Sequence, residues 1–145
     1  MKRIIITGCA TGFGAKLAQT CLERGDHVVA TDRDRTALSH LDRFEESGRL
    51  ERHALDVRRA RDVQRVCEEI TSSGSVDVLV NNAGHAVFGT IEETPLDLVQ
   101  DMFDVNVMGL ARVTQALLPA LRRASGLVVN VSSVAGRMAF PESGY

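Results

Sequence analysis

A glycine-rich turn is the first group of residues in this chain that suggests chemistry. Residues 7–14 read TGCATGFG, so Thr7, Gly8, Thr11, Gly12, Phe13 and Gly14 directly follow the apolar run RIIIT. Glycine there permits positive φ and lets the backbone approach a ligand closely. A helix starting at such a turn offers unpaired N–H groups and the positive end of its dipole, which suits a pyrophosphate. The spacing is GxxxGxG, neither the GxGxxG of other dinucleotide folds nor the GxxxxGK[ST] of a P-loop. Its bland alternative is a tight strand–helix connection without a ligand, which the strand–turn–helix context disfavours. Cys9 inside it reads as a small filler or as a thiol activated by the helix start.

Asp32 ends the next apolar run, VVATD, and Arg33 follows it. A carboxylate about 20 residues after the glycines is placed to accept the two hydroxyls of an adenosine ribose. Its bland alternative is the N-cap of the following helix, a role Asp34 serves equally well. Asp56-Val57 leaves a third apolar run, where the carboxylate could accept from the exocyclic amine of an adenine. Asn81, Asn82, Ala83 and Gly84 form a polar turn after a fourth. Asn106 lies in a helical pattern among Val105, Val107 and Met108, with Gly109 close behind. Both Asn and Gly are poor helix-interior residues, and a buried amide is costly unless hydrogen-bonded. A satisfied structural amide or a helix kink is the plain reading. Ser132 and Ser133 end a fifth apolar run, where a hydroxyl can hydrogen-bond a substrate oxygen or simply form a turn.

The elements that must hold these residues alternate regularly. Strand patterns cover 3–7, 27–32, 50–57, 76–84 and 127–133. Helical patterns cover 12–25, 35–48, 60–74 and 94–126. In the first helix Leu17, Ala18, Cys21 and Leu22 recur at helical spacing; in the third Val63, Val66, Cys67 and Ile70 do. Thr94 suits an N-cap and Pro95 a first helical position, and Arg122 and Arg123 suit a helix C-terminus. Near-continuous apolar strands alternating with helices predict a parallel sheet covered on both faces. Right-handed crossovers then predict an α/β, Rossmann-type, doubly wound sheet of five strands in the order 3-2-1-4-5. The NNAG turn would fall beside the first strand, at the switch point of the sheet.

Length and composition narrow the function classes. The 145 residues make one domain, 1–145, with 44% hydrophobic residues and a net charge of −2. That balance offers no electrostatic footprint for nucleic acid or an anionic membrane. The pairs Arg58-Arg59 and Arg122-Arg123 read as solvated helix ends. Three separated cysteines form no CxxC and no disulfide framework, and four histidines show no metal-ligand spacing. A reducing, cytoplasmic setting fits best. The start, MKRIII, has too short an apolar run for a signal peptide, and no run approaches a membrane span.

Five motifs in register along the whole chain resemble the short-chain dehydrogenase/reductase family: TGCATGFG, Asp56-Val57, NNAG, NVMG at 106–109 and SSVAG at 132–136. The resemblance implies reversible hydride transfer between NAD(P)(H) and a small-molecule alcohol or carbonyl substrate. It implies cofactor contacts from the glycine loop, Asp32, Arg33, Asp56, Val57, Asn82, Ala83 and Gly84. Asp32 favours NAD over NADP. Asn106 would bend its helix and hold a water in a proton relay. The serine preceding Val-Ala-Gly, Ser133, would orient the substrate oxygen. In the family a Tyr-x-x-x-Lys pair follows about 13 residues after that serine. Here Tyr145 lies 12 residues after Ser133 and 13 after Ser132, and the sequence ends there. The catalytic tyrosine is then Tyr145 or the next position. A methyltransferase shares the glycine loop and the acid but leaves Asn106, NNAG and Ser133 unexplained. The expectation is the first part of a longer, homo-oligomeric enzyme, cut before its lysine and before strands 6 and 7. The second reading is a non-catalytic dinucleotide-binding fragment. Either way the fifth strand would form an apolar sheet edge prone to association.

Overall fold

Five short strands form the centre of the chain in a computed structural model, which describes residues 1–138, 141, 144 and 145. They are β1 (Arg3–Thr7), β2 (His27–Asp32), β3 (Leu50–Ala54), β4 (Val78–Asn81) and β5 (Leu127–Asn130). All pair in parallel, in the order β3-β2-β1-β4-β5. β1 is therefore central, and strand order reverses between β1 and β4, where ligands bind in open sheets.

Alternation along the strands divides the core into two layers. Ile5, Val29 and Leu79 face α2 (Ala60–Ser73) and α4 (Leu110–Arg123), meeting Val66, Ile70, Val113 and Leu117. Ile4, Ile6, Val28 and Ala30 face α1 (Gly12–Glu23), meeting Ala18, Cys21 and Leu22. β1 is buried at every position, as a central parallel strand should be. β5 takes the sheet edge, and Leu127, Val129 and Val131 remain exposed there.

Several elements differ from the sequence expectation, each for a local reason. The predicted second α-helix is a 3₁₀ segment, Arg35–Ser47. Its apolar contacts are Leu38, Leu41 and Phe44, spaced by three, which matches three residues per turn. The strands are shorter than predicted because their partners end. Asp32, the last residue of β2, pairs with Ala54, so β3 stops before Leu55. Asn81, the last of β4, pairs with Asn130, so β5 stops before the serines.

The predicted helix over 94–126 is three pieces: α3 (Leu96–Phe103), a π-helical turn (Asp104–Gly109) and α4. Thr94 does not cap it. Its hydroxyl donates to the Thr90 carbonyl at 2.6 Å, and Pro95 precedes the first helical residue. At the far end, Ser125 rather than a glycine takes the left-handed position, with φ of 50°. Arg122 and Arg123 do lie in the last turn of α4.

One buried cation ties the layers together. Arg3 is only 7% exposed. Its guanidinium donates to both oxygens of Glu51 at 2.9 and 3.0 Å, to Ser73 Oγ at 2.7 Å, and to the carbonyls of Ile70 and Ser75 at 3.0 and 2.8 Å. β1, β3 and the end of α2 thus share one set of donors. Breaking a buried ion pair by removing one partner is strongly destabilising. Arg3→Met is expected to lower unfolding free energy by about 3 kcal/mol, read from the midpoint of a urea titration.

Candidate functional site

The glycine turn is held from below by the end of β4. Thr7 is buried at the end of β1, and its Oγ1 accepts from the main-chain N–H groups of Asn82 and Ala83, each at 3.0 Å. The Asn82 side-chain amide donates to the carbonyls of Thr7 and Gly8, each at 2.9 Å. The approach is too close for side chains. A Cβ on Gly8 would lie 2.8 Å from Ala83 Cα, and one on Gly14 only 2.1 Å from the Gly8 carbonyl oxygen. Gly12 differs: a Cβ there meets nothing within 4 Å among the described residues, but its φ of +58° is left-handed. Thr11, Gly12 and Phe13 face solvent. Among the described residues no side chain caps α1, and no acidic residue lies in its first turn, so its N-terminal N–H groups and dipole are available to an anion.

Cys9 is the filler rather than a reactive thiol. It is fully buried, its Sγ lies 3.3 Å from the Ile6 carbonyl, and burial pushes the thiol up to about 12.

Asp32 and Asp34 divide the two roles that sequence left open. Asp34 caps the 3₁₀ segment, accepting from the Thr36 N–H at 2.9 Å. Asp32 instead turns back to the glycine turn, where Oδ2 accepts from the Ala10 N–H at 3.0 Å. The carboxylate is thereby fixed beside the loop at the carboxyl end of β2. Arg33 is exposed at its side.

Asp56 carries a partner that the sequence reading had assigned to solvent. Arg58 is not a free helix end. Its Nε and Nη2 donate to Asp56 Oδ1 and Oδ2 at 2.9 and 2.7 Å, and its main-chain N–H donates to Oδ1 at 3.1 Å. This guanidinium holds the Asp56 carboxyl below the usual carboxylate range. Arg59, by contrast, is largely exposed, as expected. Val57 is buried, and its side chain packs on the π turn: a Cβ on Gly109 would lie 2.6 Å from Val57 Cγ2.

Asn106 sits in that π turn with its amide paired to the His85 main chain. Its Oδ1 accepts from the His85 N–H at 3.1 Å, and its Nδ2 donates to the His85 carbonyl at 2.8 Å. A Cβ on Gly84 would lie 3.1 Å from Asn106 Oδ1, so the glycine of NNAG makes room for this pairing. One amide hydrogen and one lone pair of Asn106 remain unused by these two bonds.

Ser133 lies beyond β5 and precedes a 3₁₀ turn, Val134–Gly136. Its Oγ accepts from the Ala135 N–H at 3.1 Å, leaving its own hydrogen to donate. Asn81 fixes the strand just before it. Its carbonyl accepts from the Val131 N–H at 2.9 Å, and its amide donates to Asn130 Oδ1 and Thr114 Oγ1, each at 2.9 Å. Of the ESGY stretch, Glu142 and Ser143 lie outside the described residues. The Tyr145 hydroxyl reaches the Ile91 carbonyl at 3.5 Å, and the Gly144 N–H donates to the Gly89 carbonyl at 3.1 Å.

The structure thus gathers the glycine turn, Asp32 and Asn82–Gly84 at the switch point, with Asn106 against Gly84 and His85. Arg58 and Asn81 were missed as site residues. The D-x-R spacing of Asp56 and Arg58 was the available signal for the first; the second stood in the NNAG turn, but nothing there pointed to its partners Thr114 and Asn130. The glycine geometry yields a ranked expectation. Gly14→Ala should cost about 3 kcal/mol by overpacking, and Gly12→Ala about 1 kcal/mol from its left-handed φ alone. Thermal or urea unfolding of the two variants measures the order.

The sequence profile described as short chain dehydrogenase matches residues 2–145. Mitochondrial D-beta-hydroxybutyrate dehydrogenase of Bos taurus is 40% identical over 147 residues, covering 95% of this chain and 42% of that protein. A crystal structure of a short-chain dehydrogenase from Streptomyces avermitilis superposes with a TM-score of 0.92 at 37% identity, over 99% of this chain and 54% of that one. An alcohol dehydrogenase from Thermococcus sibiricus, complexed with 5-hydroxy-NADP, gives 0.93 at 29% identity, over 99% and 63%. The chain spans about half the length of the curated relatives it matches. By profile, sequence and fold together, it belongs to the short-chain dehydrogenase family.

Proposed function

We propose that this chain forms the dinucleotide-binding part of an oxidoreductase that transfers a hydride between NAD(H) and an alcohol or carbonyl compound. The observation that carries the reading is the pairing of an uncapped helix N-terminus with a carboxylate pinned beside it. The open N–H groups at Gly12, Phe13 and Gly14 suit the pyrophosphate. Asp32, held by the Ala10 N–H, suits the ribose hydroxyls. Asp56, Val57, Ala83 and Gly84 would line the adenosine, with Val57 offering its main chain because its side chain is buried against Gly109. The dinucleotide, when bound, supplies or accepts the hydride.

The chain's own groups would orient the reacting oxygen. Ser133 accepts a main-chain N–H and so keeps its hydroxyl hydrogen for a substrate carbonyl or alkoxide. Asn106, with its amide half used by His85, would hold a relay water through what remains. The family's tyrosine acid–base is assisted by a lysine, which lowers its pKa. The only lysines in these 145 residues are Lys2 and Lys16, on β1's lead-in and on α1. On this reading the 145 residues alone bind weakly and do not turn over. A longer chain carrying Tyr-x-x-x-Lys should oxidise alcohols with NAD; absence of any NAD(P)-linked turnover from such a chain counts against the reading.

Cofactor choice rests on Asp32. A 2′-phosphate about 4 Å from its carboxylate would be repelled by about 4 kcal/mol at an effective dielectric near 20. Arg33 could pair with that phosphate and offset part of this. The Thermococcus alcohol dehydrogenase is complexed with an NADP analogue, so the NAD reading rests on Asp32 alone. Calorimetric titration should give tighter binding of NAD(H) than NADP(H), and Asp32→Ala should narrow or invert the ratio. Equal or tighter NADP(H) binding by the unaltered protein would overturn the NAD assignment.

Between the two serines, Ser133 is the substrate-facing one. In the longer chain Ser133→Ala should remove most turnover and Ser132→Ala much less, measured as kcat. The opposite ranking would make Ser132 and Tyr145 the working pair.

A further inference from the structure

A continuous line of polar contacts runs from Asp56, at the adenine corner, to Asn106 on the π turn. Arg58 grips Asp56 through Nε and Nη2 at 2.9 and 2.7 Å, and its remaining Nη1 donates to Asp101 Oδ1 at 2.5 Å. Asp101 belongs to α3, and its Oδ2 lies 3.6 Å from His85 Nε2. The His85 main chain is paired in both directions with the Asn106 side-chain amide. Each link joins a different part of the chain: the exit of β3, α3, the turn after β4, and the π turn.

The central link calls for arginine. Two carboxylates are served from one planar head, one of them bidentately, a geometry that a lysine ammonium supplies only as a point charge. Removing that head leaves two acids facing each other without the cation between them. Asp56 would retain Arg59, whose Nε lies 3.5 Å from Oδ2. Among the described residues Asp101 would keep only the His85 ring, 3.6 Å away and charged only when protonated. The greater damage should therefore fall on the α3, His85 and Asn106 side, away from the residue that Arg58 holds most directly.

We infer that Arg58 is a positioning residue of the nucleotide site: it sets the Asp56 carboxylate for an adenine and, through Asp101 and His85, holds the turn that carries Asn106. The adenine half of this inference rests on the dinucleotide reading above, whereas the hold on Asn106 rests on the contacts alone.

The test uses the isotopically labelled 145-residue chain, with AMP as the probe. Two readouts are taken: AMP affinity by calorimetry, and the NMR resonances of the His85 amide and the Asn106 side-chain NH2. Arg58→Met should weaken AMP about tenfold, the loss expected of a charge-assisted contact, and shift both resonances. Arg58→Lys should recover affinity to within about threefold while leaving the resonances shifted, because it restores charge without the fork. Asp101→Asn, at a half-exposed position, should shift the resonances with AMP affinity changed by less than about twofold. Arg59→Gln should do neither. If Arg58→Met matches Arg59→Gln in both readouts, the inference is overturned. If neither the unaltered chain nor the longer chain carrying Tyr-x-x-x-Lys binds AMP, the dinucleotide reading and the adenine half fall together, and shifted resonances in Arg58→Met and Asp101→Asn would still establish the hold on Asn106.

Discussion

The Asn82 side-chain amide donates to the Thr7 carbonyl and to the Gly8 carbonyl, and the shape of the site depends on that pair of hydrogen bonds. The chain leaves β1 there and would otherwise expose two consecutive unpaired carbonyls. Satisfying both from β4 fixes where the glycine turn begins. Once it is fixed, Gly8 must pass over Ala83 and Gly14 must pass over Gly8, at distances that admit no Cβ. The helix that follows then starts with its N-terminus clear of protein. A network of this kind stabilises only when complete, since each orphaned buried carbonyl would cost about 1–3 kcal/mol.

The same economy appears on the other side of the switch point. Gly84 is small so that Asn106 can approach, and Gly109 is small so that Val57 can pack on the π turn. Two glycines thus press the wide turn against the ends of β3 and β4. The π turn is therefore a packing consequence as much as an interruption: an α-helical continuation would rotate Asn106 relative to His85. Within it Val105 packs against the core, whereas Val107 and Met108 face outward.

Much of this fold is legible in the sequence because its main signals are local. β1 is a run of buried isoleucines, α2 carries its apolar face at helical spacing, and the glycine turn lies between strand and helix where its spacing suggests. What was not legible depends on neighbours distant in sequence. Strand ends are set by where the partner strand stops, so β5 ends at Asn130 although the apolar pattern runs on to Val131. The 3₁₀ segment shows its period of three only once Leu38, Leu41 and Phe44 are seen to share a surface. Arg58 looked solvated because the charge it needed lay partly on Asp101, in another element. The candidate site divides in the same way. Its glycines and Asp32 announce themselves by spacing, whereas Asn81 acts through Thr114 and Asn130, which no short motif connects.

The three cysteines have a consequence for how the molecule can be observed. Cys9, Cys21 and Cys67 are buried, and burial pushes all three thiols up, Cys9 and Cys67 to about 12. With the thiols shifted upward, little thiolate is present near neutral pH, and the folded protein shields all three sulfurs from a bulky alkylating reagent. Modification must then proceed through opening of the surrounding structure. Cys9 and Cys21 lie in the layer under α1, Cys67 in the layer under α2 and α4. The native thiols therefore form a built-in set of reporters, in which the rate of capture at each site reads the breathing of one face of the sheet separately from the other.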